Sequence, residues 1–236
     1  MARNVSRRRF LRAGAAVAAT TVAAAAGRTS LAQGEQEPRK LKIIGVACSP
    51  RQGKTTAAAL QVCLDAAKAV APDVIEVELI ELAGLKIPAH LAAGLPLEPG
   101  EKDDFPAVAD KLGGANVAGI IVGSPVYFCN MSALCKAFLD RCFSFRARKF
   151  ALANKVAGVV AVGGVRNGGQ ELTIQSIQAA LMCQEMTIVG DGRPTGHTGA
   201  TVWNNGKDDI SADEFGLSTA KNLGRRVAEV SLARRA

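Results

Sequence analysis

Ser49, Arg51, Lys54, Thr55 and Thr56 crowd into the short stretch Cys48-Ser-Pro-Arg-Gln-Gly-Lys-Thr-Thr56. Hydroxyls and cations at this density, leading into a helical pattern whose first amides point outward, are the chemistry of an anion cradle. The ending Gly53-Lys54-Thr55 matches the tail of a nucleoside-triphosphate loop, G-x-x-x-x-G-K-[ST], but the position that must be glycine is Cys48. Such enzymes also place a carboxylate at the end of a neighbouring strand to hold magnesium. Here the run Ile120-Ile121-Val122 ends in Gly123-Ser124. Both departures speak against ATP hydrolysis and leave a loop suited to one terminal phosphate without an obligatory metal.

Two further loops follow apolar runs. The first, GSPVYFCNMSALCKAFLDR from Gly123, carries Pro125, Val126, Tyr127 and Phe128 ahead of a helical pattern that starts near Asn130 and Met131. Of the adjacent aromatics, one is expected to face the core and the other to line a flat heteroaromatic ring. The second, GGVRNGGQE, holds Gly163, Gly164, Gly168 and Gly169. Glycines at this density allow a backbone to approach a ring closely and donate amides to its polar edge.

The elements that must carry these loops are legible as alternation. Leu41–Cys48, Val74–Leu82, Val117–Gly123, Val156–Val162 and Met186–Val189 are runs of branched apolar residues of the kind found in buried parallel strands. Helical periodicity occupies Thr55–Val70, Met131–Phe145, Glu171–Cys183 and Ala212–Leu232. Five strands alternating with helices predict a doubly wound α/β sheet, whose ligand sits outside the carboxyl ends of the strands. The three loops all follow strands, so they converge on that rim.

In this order and context, CSPRQGKTT, GSPVYFCNMSALCKAFLDR and GGVRNGGQE resemble the three flavin-binding loops of the flavodoxin-like superfamily, in its branch of NADPH-dependent FMN reductases, iron–sulfur flavoproteins and multimeric quinone reductases. The resemblance covers nearly all of residues 41–232. It implies a five-stranded sheet of order 2-1-3-4-5 and an FMN whose phosphate is held by Ser49, Arg51, Lys54, Thr55 and Thr56. Pro125, Val126, Tyr127, Phe128, Asn130 and Met131 would border the isoalloxazine, with Gly163, Gly164, Gly168 and Gly169 at its other edge. It also implies a homodimer or homotetramer. The iron–sulfur members have a compact cysteine cluster after the second strand, whereas residues 83–104 contain no cysteine, so no iron–sulfur cluster is expected. Cys129 stands where relatives commonly have glycine.

The formal charge of +8 is unevenly spread. Residues 1–32 hold six arginines and no acid, while the remainder has 23 basic against 21 acidic residues, which argues against nucleic acid as a partner. The first segment reads Ser6-Arg7-Arg8-Arg9-Phe10-Leu11-Arg12, an alanine-rich apolar run over Ala13–Ala26, and Ser30-Leu31-Ala32. The run is shorter than the ~20 residues of a spanning helix, and its flanks are those of a cleavable signal. The paired arginines before Phe-Leu resemble the twin-arginine export signal, which implies the twin-arginine translocation machinery as a partner and a periplasmic destination reached folded, with a loaded cofactor. The expected organisation is therefore a signal over 1–32, a linker over 33–40 and a flavodoxin-like domain over 41–236.

The expected function is an FMN-dependent oxidoreductase passing electrons to a quinone or similar small acceptor. NAD(P)H is the family's usual donor, but an exported enzyme would not meet its cytoplasmic pool. A non-enzymatic flavodoxin-type carrier is the alternative. The basic run Arg141, Arg146, Arg148, Lys149 beyond the second loop favours the enzyme, because flavodoxins dock through acidic faces. His197 and Trp203, in the loop GHTGATVW, are candidates for substrate or subunit contact.

Overall fold

The computed structural model describes residues 40–234. The signal expected over 1–32, and all but the last residue of the linker, lie outside the described residues. Strands β1 (Leu41–Ala47), β2 (Ile75–Glu81), β3 (Val117–Pro125), β4 (Val156–Gly163), β5 (Thr187–Ile188) and β6 (Ala200–Trp203) form one parallel sheet. Its order is β2-β1-β3-β4-β5, with β6 also on β4. The helices are α1 (Thr55–Val70), α2 (Phe105–Leu112), α3 (Ala133–Arg141), α4 (Ser144–Ala147), α5 (Gln170–Met182) and α6 (Glu214–Ala233).

The central strands are apolar throughout because both of their faces are covered. Every residue of β4 is buried, and alternate residues of each strand feed opposite cores. Ile43, Ile121 and Val160 pack with Leu60 and Leu64 of α1 and Leu223 and Val227 of α6. Ile44, Ile120 and Val159 pack on the other side with Phe105, Phe138, Phe145 and Ile174. Each such side chain taken out of water contributes about 1.5–3 kcal/mol, more than the helix and strand propensities of these short segments supply. The chain runs from β1 to the edge strand β2 and then crosses to β3 on the far side of β1. The order of the sheet therefore reverses between β1 and β3, where their carboxyl ends lie side by side at Ala47 and Gly123.

The structure reproduces the predicted order and differs in three details. The edge position expected to hold one strand over Met186–Val189 is shared by two short ones. β5 pairs with Val156 and Ala157, and β6 pairs with Val160 to Gly163. The segment between them folds around Asp191, which is fully buried and accepts hydrogen bonds from the His197 amide, the Thr195 hydroxyl and, at 3.2 Å, the His197 ring Nδ1. The four residues of β6 are too short for alternation to register as a strand. The helix expected over Met131–Phe145 breaks between Arg141 and Ser144, and α2 was not expected at all.

The break and the missed helix share one contact. Arg141, at the end of α3, holds Asp103, just before α2, through two hydrogen bonds of 2.9 and 2.7 Å, and its guanidinium lies 4.8 Å from the Phe105 ring centre. The two side chains are only 10% and 12% exposed. Three of the four basic residues counted in favour of an enzyme over an acidic-faced carrier are engaged within the fold: Arg141 is structural, Arg146 donates to the Cys183 carbonyl and Arg148 pairs with Asp110. The Arg141 hydrogen bonds hold the Asp103 carboxyl below the usual carboxylate range. Because the folded value lies below the unfolded one, the pair's stabilisation is present above the ordinary carboxylate pKa and is lost as pH falls through the lowered value. Asp103→Ala, which leaves a largely buried guanidinium unpaired, is expected to cost about 2 kcal/mol in urea unfolding at neutral pH. The difference between wild type and Asp103→Asn should shrink as the unfolding series is carried into acid.

Candidate functional site

The three loops meet because their strands are in register. The Cys48 amide donates to the Gly123 carbonyl at 2.8 Å, and the Val126 amide donates to the Val162 carbonyl at 2.9 Å. Ser132 joins the first two loops from below. Its hydroxyl donates to the Cys48 carbonyl at 2.6 Å and accepts the Cys135 amide at 3.0 Å, capping α3. Ser124 Oγ accepts the Ser132 amide at 3.1 Å, and both serines are buried. Neither was singled out from the sequence, although a serine just ahead of an apolar helical run is a recognisable cap signal.

Above this junction lies a cleft of about 580 Å³. Arg51 and Thr55 stand at one end; Pro125, Val126, Tyr127, Val162 and Gly164 form the wall. Asn204, Gly206, Lys207 and Asp208, from a loop after β6 that sequence reasoning did not select, complete it. Lys54 is the N-cap of α1, and no side chain caps the first amides of that sixteen-residue helix. Those amides have no partner within the helix and form the positive end of its dipole. Ser49 accepts the Arg51 amide at 3.1 Å, and the Gly53 amide donates to the Glu81 carboxylate at 2.6 Å, so the loop is pinned from both sides. Ser49 and Thr56 are buried under it, while Arg51 and Lys54 keep about half of their side-chain surface exposed.

The aromatics depart from expectation, since neither faces the core. The Tyr127 and Asn130 backbones bond to each other in both directions at 2.8 and 3.0 Å, leaving Phe128 and Cys129 as a two-residue turn at φ 49° and 61°. Tyr127 is half-exposed on the cleft wall; Phe128, at the tip of the turn, is fully exposed. The turn geometry aims both away from the sheet. Asn130 folds back on its neighbour, accepting the Met131 amide at 2.8 Å, and Met131 packs against the core.

The third loop also differs from its reading. Only Gly164 lines the cleft, with nothing within 4 Å of the site where a side chain would begin. Gly169 has φ 102° and leaves 2.6 Å between a would-be Cβ and the Cα of Cys129, so it serves close contact between the two loops. Gly163 and Gly168 pack likewise against Gln170 and Val165, whose positions are tied by hydrogen bonds within the loop. His197 lies in a separate cleft of about 450 Å³ with Arg166, Gln170 and Phe215, and Trp203 stacks under the Arg166 guanidinium at 5.3 Å. Neither is among the residues lining the main cleft. Cys48, below the loops, is inert: burial, reinforced by the neighbouring Cys135, pushes its thiol well up.

The donor set fits a flavin mononucleotide. Cations, hydroxyls and free helix amides at one end suit a phosphate, and an open apolar wall with a close-approach glycine suits a planar ring.

Residues 41–200 match the family described as NADPH-dependent FMN reductase. The chain is 42% identical over 194 residues to an iron–sulfur flavoprotein of Methanocaldococcus jannaschii, covering 80% of this chain and 97% of that one. It is 32% identical over 165 residues to an NAD(P)H dehydrogenase (quinone) of Paracoccus denitrificans, with 63% and 78% covered. Among solved structures, a flavodoxin, WrbA-like protein from Agrobacterium tumefaciens superposes with a TM-score of 0.54 at 17% identity, over 82% of this chain and 98% of that one, which is a likeness of fold.

These likenesses correct one expectation. The chain was read as standing apart from iron–sulfur chemistry on the strength of residues 83–104, yet several of its relatives carry the name iron–sulfur flavoprotein. Among the described residues, no group of three His, Cys, Asp or Glu side chains is placed to hold a metal, and no step of chemistry is assigned to a cluster.

The contrast between two glycines is testable. Gly169→Ala, strained in both φ and contact, should lose about 2 kcal/mol in chemical denaturation. Gly164→Ala should stay within about 0.5 kcal/mol of wild type while weakening FMN binding, since its methyl group enters the cleft.

Proposed function

The chain belongs to the NADPH-dependent FMN reductase family and is an FMN-dependent oxidoreductase, and we propose that it is exported by the twin-arginine route and passes two electrons to a quinone or similar small planar acceptor. The observation that carries this reading is the joining, in one open cleft, of a phosphate end at Arg51 and Thr55, with Lys54 on the same loop paired to the lining Asp208, to an apolar wall at Pro125, Val126 and Tyr127. FMN, when bound, supplies the two-electron chemistry. Val126 and Gly164, which line the cleft from the two neighbouring loops, would border its ring. Tyr127, half-exposed, leaves a planar acceptor room to stack beside it. Reduction of a quinone takes up two protons with the two electrons, and the open cleft lets solvent supply them.

The export address rests on the arginine-rich, apolar beginning of the chain, and folding before export lets the cofactor be inserted in the cytoplasm. Self-association is part of the proposal, as a homodimer or homotetramer supported by the fully exposed Phe128 beside Tyr127 and by the exposed Val165 on the third loop.

The purified protein is expected to show the visible absorption of bound flavin and to be bleached anaerobically by a reductant, then reoxidised by a soluble quinone. NADPH and a quinol, compared as reductants, distinguish a cytoplasmic donor from a membrane one. A colourless protein that takes up no FMN on reconstitution would refute the reading. Replacing Arg7 and Arg8 together by lysine should retain the protein in the cytoplasm on cell fractionation, and unchanged export would refute the twin-arginine assignment.

A further inference from the structure

The loop after β6 is built to reach the phosphate end of the cleft. The Asn204 amide donates to the Gly163 carbonyl at 3.0 Å, and its side-chain amide reaches Thr55 Oγ1 at 3.5 Å. The loop then turns on itself, the Gly206 amide donating to Asn204 Oδ1 at 3.0 Å and the Lys207 amide to the Asn204 carbonyl at 2.8 Å. This turn delivers Asp208, at φ 56°, directly to the cations of the first loop. Asp208 Oδ1 lies 2.7 Å from Arg51 Nη1, and Oδ2 lies 3.4 Å from Lys54 Nζ. One carboxylate thus engages both positive side chains of the cradle, the Arg51 contact being the shorter, and Arg51 followed by Lys54 holds the Asp208 carboxyl below the usual range.

We propose that Asp208 is an internal competitor for the flavin's phosphate, a specificity-determining residue that loosens the grip on FMN without touching the grip on the ring. A phosphate dianion and the Asp208 carboxylate seek the same donors on Arg51 and Lys54, so binding of one requires surrender of at least part of the other. Lys207, which lines the cleft and forms no ion pair among the described residues, is the cation left free to meet the arriving phosphate. The competition sets how readily the flavin exchanges, and it acts only on ligands that carry the phosphate. This inference rests on the reading of the cleft as an FMN site.

The test is a titration of the full chain, freed of flavin, with FMN and separately with riboflavin, followed by quenching of flavin fluorescence. Wild type, Asp208→Asn and Asp208→Glu are compared. Loss of the carboxylate should tighten FMN about five-fold, the scale of an exposed ion pair, and leave riboflavin unchanged, while the Glu variant restores wild-type behaviour. The FMN gain should fade as salt is raised, because these charges are solvent-exposed. FMN binding that is unchanged or weaker in Asp208→Asn overturns the proposal, weaker binding meaning that Asp208 positions Arg51. Parallel shifts for FMN and riboflavin also overturn it, since they would report on the fold. If wild type binds riboflavin and FMN equally well, the competitor fails while a flavin site stands; if it binds neither, the flavin reading fails with it.

Discussion

Three strands in the middle of this protein are buried on both faces, and that requirement governs the rest. A strand with two apolar faces needs a helix layer on each side, and parallel neighbours can be joined only by crossovers that return the chain to the same edge. Each crossover leaves β1, β3 or β4 at its carboxyl end, so the loops fall on one rim. Strand register then brings Ala47 opposite Gly123 and Pro125 opposite Val162, within reach of one ligand. The cleft is a by-product of how a two-sided sheet must be connected.

Polar chemistry at this rim is divided between groups that hold loops to one another and groups left for a ligand. Ser124, Ser132, Gln170 and the Gly169–Cys129 contact are spent on assembly. Thr55, Lys207 and the first amides of α1 remain, with Arg51 shared with the Asp208 carboxylate. Such a division is physically necessary, because buried polar groups must be satisfied internally while a binding group must keep some donors free. It also explains why a loop rich in glycine presents only one of them to the cleft: the others are occupied by their neighbours' backbone and side chains.

The chain is similar both to proteins named iron–sulfur flavoprotein and to one named NAD(P)H dehydrogenase (quinone). In this chain the segment between β2 and α2 is tied down by Arg141 and Asp103, and the segment after β6 is tied to the phosphate loop by Asp208. Both ties use charge, and both lie where the chain leaves regular structure.

Period and composition alone determined strands β1 to β4, their alternation with most of the helices and the three loops that follow them. Buried parallel strands demand unbroken apolar runs, and amphipathic helices demand a 3.6-residue repeat, so α1 could be bounded to the residue. The anion character of Ser49–Thr56 was legible for the same reason, since hydroxyls, cations and a helix start are all local. The direction of Tyr127 and Phe128, the packing duty of Gly168 and Gly169, the pairing of Arg141 with Asp103 and the reach of Asp208 to Arg51 and Lys54 were not. Each depends on which distant segment lies alongside, and that is settled only when the sheet's register brings together residues as far apart as Thr55 and Asn204. Local sequence specifies what a side chain can do; its partner, and hence whether it is free to act on a ligand, is decided by the folded packing.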